Sequence, residues 1–535
     1  MWQLREVAEE KLALLRAETG LSDGVLRLLL LRGLESKEEI SAFLYPSLKD
    51  FYPASLLPDI DKGLERLKRA IKEKEAILIW GHEDMDGITA TVLLEEVLKD
   101  LRAEVSHFIP QKHQFKHGIY PPKILSEEGW KEVRLLIAVD CGTTNNLEVR
   151  ELKEKGMETI IIDHHEVVSS LPEAVAIVNP KIPGSRYPFW ELAAVGVVFK
   201  FASALLEDLL GITIEEWITA KPETLALTSL GTISDRVPLL GENRIIVKKG
   251  LEILRGKGRS PAWEMIRNLE DINTVLSLFS AIDGQSACDF FLTKDQGLAQ
   301  EIFDKMVERQ EVLKREVEET ISLAETVKSV YPGIMIVKNV FLKLRFLSHI
   351  ANRFRDKYLI PVIVLGKRDD GLWVAECRGV EELDLLELLR ENSSLLLDWG
   401  GHKKACGFSI KEENLEEFIN RAREYAEKNF LPKIEKNLPS SQERIVMIDA
   451  ILSLEEIPKE VFLLPPFGEG NPPPLFLSPN TEFKEEWVRN FSIQGESEKI
   501  IPGNRYDIVW TVQEEGIRIK FFLLTRKGHP LGYKY

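Results

Sequence analysis

The sequence predicts an α/β protein whose main domain is a doubly wound parallel sheet, and two observations carry this prediction. Apolar runs at 76–80, 135–139 and 160–162 are short and continuously hydrophobic, as strands buried on both faces are. Between about 61 and 250 such runs alternate with helical segments, for example 88–101. This alternation is typical of βαβ units that build an open parallel sheet.

Changes of pattern divide the rest of the chain. Ser36 and Glu39 have the spacing of a capping box, so a helix is expected to begin there. Residues 295–329 are charged and almost free of glycine and proline, which predicts one long connecting helix. After a break at 432–441, short alternating strands dominate. We therefore predict five parts: helices over 1–60, the parallel-sheet domain over 61–250, a helical connector over 251–330, a second, smaller α/β domain over 331–432, and a small β-barrel, OB-like, over 441–535.

Composition sets limits on the kind of protein. The chain has 535 residues, 44% of them hydrophobic and 29% charged, with a net charge of -16. Such a charge argues against non-specific coating of nucleic acid, but leaves room for a narrow groove that binds one strand. No apolar run approaches the ~20 residues of a membrane helix, and the charged first ten residues do not resemble a signal peptide. The four scattered cysteines predict a reducing, cytoplasmic location.

Acidic residues and histidines cluster directly after the apolar runs. The clusters are His82-Glu83-Asp84-Met85-Asp86, Asp140, Asp163-His164-His165 and Asp235. Carboxyl ends of parallel strands meet at one edge of a sheet, where carboxylates would repel one another unless cations held them. Mixed aspartate and histidine ligands suit Mn²⁺, Mg²⁺ or Zn²⁺. The sequence therefore predicts a two-metal site of the phosphoesterase type, with Asp140 able to bridge both ions.

These motifs resemble a known family. Asp163-His164-His165 is similar to the signature of the DHH phosphoesterase superfamily, and Gly400-Gly401-His402 to that of the DHH-associated domain. Within the superfamily the chain resembles the RecJ group of single-strand-specific exonucleases most. The stretch from Leu230 to Arg244 looks like a RecJ motif, and Pro465 to Pro472 resembles the loop that enters the RecJ C-terminal domain.

The resemblance implies a role for each cluster. It implies that His82, Asp84 and Asp140 hold one divalent ion, Mn²⁺ or Mg²⁺. A second ion would be held by Asp86, Asp140, His164 and Asp235. His165 would contact the scissile phosphate or orient the cluster. Further phosphate contacts are expected in the second α/β domain, from Gly400, Gly401, His402, Arg353 and Arg378, although either arginine could instead be an ordinary surface residue.

The implied activity is 5′→3′ hydrolysis of single-stranded DNA to 5′-mononucleotides by a monomeric cytoplasmic enzyme of DNA repair and recombination. All expected metal ligands precede residue 236, so hydrolysis of a dinucleotide is expected to survive removal of the C-terminal domain. That domain would bind the strand. Its candidate stacking residues, which could equally be core, are Trp487, Phe491, Trp510, Phe521 and Phe522.

Three departures from the RecJ pattern keep alternatives open. His82 stands where an aspartate is usual, and Lys112 and His117-Gly118-Ile119-Tyr120 stand where an arginine and a Gly-Tyr-Gly turn are usual. The stretch 281–288 lacks the arginine expected before the long helix. A first alternative is a DHH phosphodiesterase of short oligonucleotides or cyclic dinucleotides. A second is a non-catalytic replication-associated subunit, which is less favoured because every metal position carries a competent ligand.

Overall fold

The structure is a computed structural model that describes residues 2–111, 118–167, 170–256, 260–269, 272–380, 383–437, 446–490, 492–494, 501–513 and 516–520. Contacts divide the chain into two units. The first comprises Met1–Arg309 and Ile445–Tyr535, and the second comprises Gln310–Arg444.

The first unit begins with β1 (Trp2–Leu4), α1 (Glu9–Thr19), α2 (Asp23–Leu31) and α3 (Lys37–Leu44). Strands and helices then alternate through α4 (Ile60–Glu73), β2 (Ala76–Trp80), α5 (Met85–Asp100), β3 (Val105–Phe108), α6 (Pro121–Ser126), β4 (Val133–Val139), α7 (Asn146–Glu154), β5 (Glu158–Ile162) and β6 (Ala176–Val178). Helices follow as α8 (Ala194–Leu210), α9 (Ile214–Ala220), α10 (Glu223–Ser234), α11 (Gly241–Leu254), α12 (Pro261–Ile266), α13 (Ile272–Phe279), α14 (Gly284–Leu292) and the long α15 (Gln296–Val327). The division between the units falls within α15, after Arg309.

The second unit contains β7 (Lys328–Tyr331), β8 (Ile334–Lys338), α16 (Leu347–Tyr358), β9 (Val362–Lys367), β10 (Trp373–Arg378), α17 (Leu385–Glu391), β11 (Leu396–His402), β12 (Ala405–Ile410), α18 (Glu412–Asn429) and α19 (Leu431–Asn437). The C-terminal part returns to the first unit with β13 (Val446–Ile448), β14 (Ala450–Ile451), β15 (Phe476–Glu482), α20 (Glu485–Asn490), β16 (Ser492–Gln494), β17 (Arg505–Gln513) and β18 (Gly516–Lys520).

The predicted doubly wound sheet is confirmed. Its strand order is β3-β2-β4-β5-β6, and every neighbouring pair is parallel. Successive residues of β2 point to opposite faces: Ile77 and Ile79 pack into one hydrophobic core, while Leu78 and Trp80 pack into another. Helices cover both faces of the sheet, so neither face meets water. The strands are therefore continuous apolar runs.

The second unit is a mixed sheet of order β11-β12-β10-β9-β8-β7, in which β8 and β9 are parallel. The glycines between Gly400 and Gly407 predict a loop, but the structure has a β-hairpin there, made by the end of β11 and the start of β12. The pattern hid this because glycine is depleted in strands. The expected capping box of Ser36 and Glu39 and the long helix after Asp295 are both present.

The N-terminal helices and the C-terminal strands share one hydrophobic core. Leu29 and Phe43 from the N-terminal part pack in the same cluster as Phe476 and Trp510 from the C-terminal part. Strand β1 also pairs in parallel with β13, more than four hundred residues later in the chain. The two ends of the chain therefore depend on each other for burial, because the apolar sides of α2 and α3 close over the C-terminal sheet.

The C-terminal sheet has the order β14-β15-β17-β18-β16, with two parallel and two antiparallel pairings. The prediction of an OB-like barrel is not confirmed by this order. Of the candidate stacking residues, Trp487 and Trp510 are 5% and 0% exposed and belong to the core. Phe491, Phe521 and Phe522 lie outside the described residues.

Candidate metal centre

Three strands of the first unit end at the same edge of the sheet and carry the predicted clusters there. His82 follows β2, Asp140 follows β4, and Asp163 follows β5. Strand β4 lies between the other two, which places Asp140 in the middle. Asp140 has a φ of 58°, and its N–H donates to the Ile162 carbonyl at 3.0 Å. Aspartate tolerates this left-handed conformation better than most residues, so the turn can aim its carboxylate across the edge of the sheet.

The first set of side chains, here called the His82 group, comprises His82, Asp84 and Asp140, whose ligand atoms all lie within 4.8 Å of one another. His82 Nδ1 lies 3.0 Å from Asp84 Oδ2 and 3.6 Å from Asp140 Oδ2. The other oxygen of Asp84 caps α5 by accepting from the Gly87 N–H at 3.0 Å. This cap fixes Asp84 while Oδ2 remains directed at the group.

The second set, the Asp235 group, comprises Asp86, His164 and Asp235, again with ligand atoms within 4.8 Å of one another. His164 Nε2 lies 3.9 Å from Asp86 Oδ2, and His164 Nδ1 lies 3.6 Å from Asp235 Oδ2. Asp235 differs from the other members because it stands at the C-terminal end of helix α10 and not at the end of a strand. The segment before it, Leu230 to Ile233, is helical.

Asp140 joins the two groups. Its Oδ2 lies 3.6 Å from His82 Nδ1, and its Oδ1 lies 3.4 Å from His164 Nε2. One oxygen therefore faces each group, as the prediction of a bridging carboxylate requires. A further overlapping set, comprising Asp140, His164 and His165, also brings its ligand atoms within 4.8 Å.

Backbone N–H groups hold the buried carboxylates in place. Asp86 is 1% exposed, and its two oxygens accept from the N–H groups of Ala194 and Val195 at 2.7 and 2.8 Å. These donors belong to the first turn of α8, where N–H groups have no partner within the helix. The helix dipole adds to the attraction, so α8 stabilises the ionised form of a deeply buried aspartate.

Asp163 belongs to none of the three sets and serves as their support. Its Oδ1 accepts from the backbone N–H of His164 at 2.8 Å and from His165 Nδ1 at 2.8 Å, and its Oδ2 accepts from the Thr143 N–H at 3.1 Å. Burial opposes ionisation, but these hydrogen bonds keep the pKa of Asp163 well below its usual value. The hydrogen bond to Asp163 also raises the pKa of His165.

Without a cation, burial and mutual repulsion disfavour the ionised carboxylates of the cluster. Burial and neighbouring carboxylates raise the pKa of Asp86 and of Asp140 well above the ordinary value, and burial and Asp84 raise that of Asp235 to about 6. Burial and the charge of His165 lower the pKa of His164 to about 4. A cation reverses this balance, because it favours ionised carboxylates and a neutral imidazole.

The donor set fits a metal. Among the described residues, Asp140 Oδ2 and His164 Nδ1 are buried without a hydrogen-bond partner. Such buried polar atoms are costly unless something binds them. Carboxylate oxygens with imidazole nitrogens suit Mn²⁺, and carboxylate oxygens suit Mg²⁺.

Two residues of the site were missed at the sequence level. Asn179 is 0% exposed, and its Nδ2 donates to Thr143 Oγ1 and to the His165 carbonyl at 3.1 and 2.9 Å. Its Oδ1 accepts from the Lys181 N–H at 2.9 Å, which fixes Lys181 beside the cluster. Lys181 pairs with the exposed Glu166 at 3.4 Å, and its charge lowers the pKa of His164 and of Asp235. The signal was available, since Asn179 is the first residue after β6, a fourth strand end at this edge.

The residues expected to bind phosphate lie in the second unit. Across its sheet, His402 pairs with Ala405, and Ala405 pairs with Arg378 on the next strand. Residues in register on neighbouring strands point to the same face, so His402 and Arg378 share one face, with their backbones about 10 Å apart across two strand spacings. Arg378 donates to Glu376 Oε2 at 2.9 Å and to Ser348 Oγ. Arg353 is exposed on α16.

Glycine is required in the hairpin at Gly401. Its φ is +123°, and a Cβ there would lie 2.5 Å from the Ala405 carbonyl oxygen. At Gly400, directly opposite Gly407, a Cβ would meet nothing within 4 Å, so the edge strand is open there. The pair leaves a stretch of sheet without side chains beside His402. Lys112 and His117, weaker candidates from the sequence, lie outside the described residues.

Comparison with known proteins identifies the family of this chain. The model of the DHH family, N-terminal domain, matches residues 76–232, and that of the DHHA1 domain matches residues 342–428. The chain is 31% identical to the single-stranded-DNA-specific exonuclease RecJ of Bacillus subtilis, covering 95% of this chain and 68% of that protein. It is 28% identical to RecJ of Thermus thermophilus, covering 83% of this chain and 64% of that protein.

Two solved structures extend the comparison. RecJ from Thermus thermophilus in complex with Mn²⁺ superposes with a TM-score of 0.71 at 22% identity, over 97% of this chain and 78% of that one. A structure of exonuclease RecJ bound to manganese has a TM-score of 0.57 at 26% identity, over 71% of this chain and 97% of that one.

The fold and the site together define a DHH phosphoesterase with an associated DHHA1 domain. Within that class, the chain belongs to the RecJ family. It spans about two thirds of the length of the Bacillus and Thermus relatives (68% and 64%). Among the residues that the structure describes, no helix is long and apolar enough to cross a membrane.

Proposed function

We propose that this protein is a metal-dependent phosphodiesterase that degrades single-stranded DNA from its 5′ end and releases 5′-mononucleotides. The single observation that carries the proposal is Asp140, whose two oxygens face two separate groups of ligands. A carboxylate in this position serves a pair of ions, as two-metal hydrolysis requires. The substrate class is supported by the relatives, which are named as single-stranded-DNA-specific exonucleases.

In this proposal His82, Asp84 and Asp140 hold one ion. The second ion is held by Asp86, Asp140, His164 and Asp235. Mn²⁺ is the preferred identity, with Mg²⁺ as the other candidate, because solved RecJ structures contain one or the other. Bound there, two divalent ions would favour ionisation of an attacking water and offset charge on the departing oxygen.

The chain's own residues orient the substrate. The Asp163 carboxylate accepts from His165 Nδ1, so the ring keeps a proton on that nitrogen and turns Nε2 away from Asp163. With its pKa raised, His165 can carry a second proton on Nε2 and donate it in a hydrogen bond to a phosphate oxygen. Lys181 offers a further positive charge beside the cluster. Its partner Glu166 is 68% exposed, so a phosphate can replace that weak ion pair at little cost.

The second unit supplies a phosphate site in the same proposal. Gly400 and Gly401 leave the backbone open to close approach, while His402 and Arg378 provide donors on one face of the sheet. Arg353 is the remaining candidate, and its exposure on α16 leaves it available to an anion. We also propose a monomeric cytoplasmic protein. All four cysteines are free, as a reducing compartment requires.

A second candidate function is hydrolysis of short oligonucleotides. The observation that favours it is the stretch 281–288, which carries no arginine. Side chains of this stretch are engaged in contacts within the fold. There Asp283 caps α14, and Gln285 contacts His107 Nε2 at 2.6 Å. A strand would have one fewer cation to grip it, which matters more for a long strand than for a dinucleotide.

A digestion series tests both candidates. Single-stranded DNA, RNA, dinucleotides and cyclic dinucleotides, labelled at the 5′ or 3′ end where they have one, would be incubated with Mn²⁺ or Mg²⁺. We expect mononucleotides from the 5′ end of single-stranded DNA, and none from Asp140→Ala. Preference for dinucleotides over long strands would support the second candidate. Absence of hydrolysis of all four substrates would overturn the proposed function.

A further inference from the structure

Arg244 is a buried cation in the first unit whose role the metal chemistry does not explain. It is 1% exposed on α11, and its guanidinium lies 3.5 Å from the centre of the Phe43 ring. Its Nε donates to the Phe43 carbonyl at 2.5 Å, and its Nη2 donates to the carbonyls of Leu463 and Leu464 at 2.8 and 3.0 Å. It therefore binds two distant parts of the chain through their backbones.

A second cation on the same helix repeats the arrangement. Lys248 Nζ donates to the carbonyls of Leu44 and Leu463, both at 3.0 Å. Lys248 lies one turn after Arg244, so both side chains reach the same stretch. Charged donors satisfy several carbonyls at once, which anchors a segment that has no regular partner strand.

The stretch they bind, residues 463–472, is here called the latch loop. Asn471 closes it from inside: it is 0% exposed, and its Nδ2 donates to the carbonyls of Leu464 and Pro466 at 2.9 and 2.8 Å. Arg32 donates to Asn471 Oδ1, and also to the Pro472 carbonyl at 2.6 Å. The latch loop is therefore held both internally and by the N-terminal helices.

The other side of the latch loop touches the residues that follow Asp235. The Leu239 N–H donates to the Glu469 carbonyl at 2.8 Å. Contact there is close, because a Cβ on Gly468 would lie 2.8 Å from Leu239 Cδ1. Asn243 Nδ2 holds the same turn by donating to the Pro238 carbonyl at 3.0 Å.

Only three residues separate Asp235 from Leu239. The first of them, Arg236, has a φ of 58°, so the chain turns sharply immediately after Asp235. A short turn that is fixed at its far end limits where its near end can lie. The carboxylate of Asp235 is thus tied to the position of the latch loop.

We propose that Arg244 and Asn471 are positioning residues that hold Asp235 in place by fixing the latch loop against the turn that follows it. This inference rests on the proposed function, because it gives the Asp235 group a metal to bind. It assigns the C-terminal part of the chain a share in hydrolysis even of substrates too short to reach it.

The two ligand groups should respond differently to a loosened latch. Asp235 belongs to the Asp235 group alone, whereas the ligands of the His82 group stand on strand ends and on the cap of α5. A change that loosens the latch loop should therefore weaken the binding of one of the two ions. A general loss of stability would weaken both.

The test uses the full-length chain with Asn471→Ala and, as a conservative change, Arg244→Lys. Mn²⁺ binding would be titrated by calorimetry, and hydrolysis of a 5′-phosphorylated dinucleotide would be measured across Mn²⁺ concentrations. We expect affinity for one of two Mn²⁺ ions to fall about ten- to a hundredfold, with the other unchanged. Activity should return at high Mn²⁺. Asp235→Asn shows which binding step belongs to Asp235.

Arg66→Lys is the matched control. Arg66 is also buried, at 4% exposed, but it bonds to Glu158 and Glu75, away from the latch loop. It should lower the melting temperature and leave the two Mn²⁺ affinities as they are. If Asn471→Ala fails to fold, Gly468→Ala offers a milder route, because the added methyl group presses on Leu239.

Equal weakening of both ions, or unchanged Mn²⁺ binding with a lowered melting temperature, would overturn the inference and make the latch merely structural. Because Mn²⁺ binding is measured without substrate, the outcomes remain separable. Suppose that the wild-type protein binds two Mn²⁺ ions and the latch variants lose affinity for one of them, yet the wild-type protein hydrolyses no DNA. That result would reject the proposed function and leave the inference about the latch loop standing.

Discussion

The metal centre of the first unit and the Gly-Gly-His hairpin of the second are both candidates for binding phosphate, and they are built in opposite ways. Asp86 and Asp140 are 1% and 2% exposed, and backbone N–H groups or neighbouring histidines constrain them. The hairpin is exposed, and its open face depends on glycines that carry no side chain. The metal centre concentrates buried charged groups, whereas the hairpin has glycines whose missing side chains leave its backbone accessible.

The difference follows from what each region must bind. Burial and the repulsion of neighbouring carboxylates raise the pKa values of Asp86 and Asp140, which shows the cost of placing these groups together before a cation arrives. Helix α8 offsets part of that cost, because its first two N–H groups donate hydrogen bonds to Asp86. A phosphate on a strand arrives with its own charge, so the hairpin needs only access and a few donors. Substitutions should therefore have large effects at the first region and graded effects at the second.

Asp140→Ala should give the largest effect. Removing the carboxylate that faces both groups should lower hydrolysis about a thousandfold or more, because both ions lose a ligand. The measurement is initial rate on 5′-labelled single-stranded DNA, with bound Mn²⁺ counted in the same preparation. Two retained ions together with activity within about tenfold of wild type would remove the bridging role.

His402→Ala should reduce turnover about ten- to a hundredfold, the cost of one hydrogen bond to a charged group. Bound Mn²⁺ should not change, since His402 lies outside the described ligand groups. Comparing 5′-phosphorylated and unphosphorylated strands shows which phosphate it contacts. Unchanged kinetics on both strands would exclude His402 from substrate binding, and loss of metal would contradict the contrast between the two regions.

His82→Asp should keep activity and shift the preferred metal toward harder ions, because a carboxylate replaces an imidazole in the His82 group. Rates would be compared in Mn²⁺, Mg²⁺ and Zn²⁺ for both proteins. A ratio of Mg²⁺ to Mn²⁺ activity that rises several-fold is the expected result. Identical metal profiles would show that His82 is not a ligand.

Lys181→Gln should weaken strand binding modestly and reduce its salt dependence. One lost phosphate contact should lower the slope of log affinity against log salt by about 0.7 for a single strand. Lys153→Gln is the control, since Lys153 also pairs with a surface glutamate but lies on α7. A salt slope that falls equally in the two variants would mean that Lys181 has no specific contact.

Removal of metal should give a small, pH-dependent change in stability. The pKa of Asp235 is raised to about 6 in the folded, metal-free protein. Protonation of Asp235 therefore contributes to the stability of that form, fully below about pH 4, the ordinary pKa of an aspartate. This contribution to stability is lost as pH rises through about 6. Mn²⁺ should therefore raise the melting temperature more at pH 7.5 than at pH 5. In Asp235→Asn the dependence should be shallower. Equal shifts at both pH values would contradict this origin.

Much of this protein could be predicted from local patterns. Strands buried on both faces leave continuous apolar runs, so β2, β4 and β5 were visible, and with them the positions of His82, Asp140 and Asp163 at one sheet edge. The capping box at Ser36 was equally local. In each case the signal lies within a few residues of the chain, because strand burial and helix capping are short-range properties.

Tertiary structure alone decided the rest. Asp235 lies at the end of a helix. Trp510 packs in a core shared with the N-terminal helices, and the Leu239 N–H donates to the Glu469 carbonyl. The expectation that hydrolysis of a dinucleotide survives removal of the C-terminal part stays a prediction, although such a removal would expose the apolar sides of the N-terminal helices that share its core. Contacts between residues hundreds of positions apart leave no periodic trace in the sequence, since they depend on how packed surfaces meet and not on local spacing.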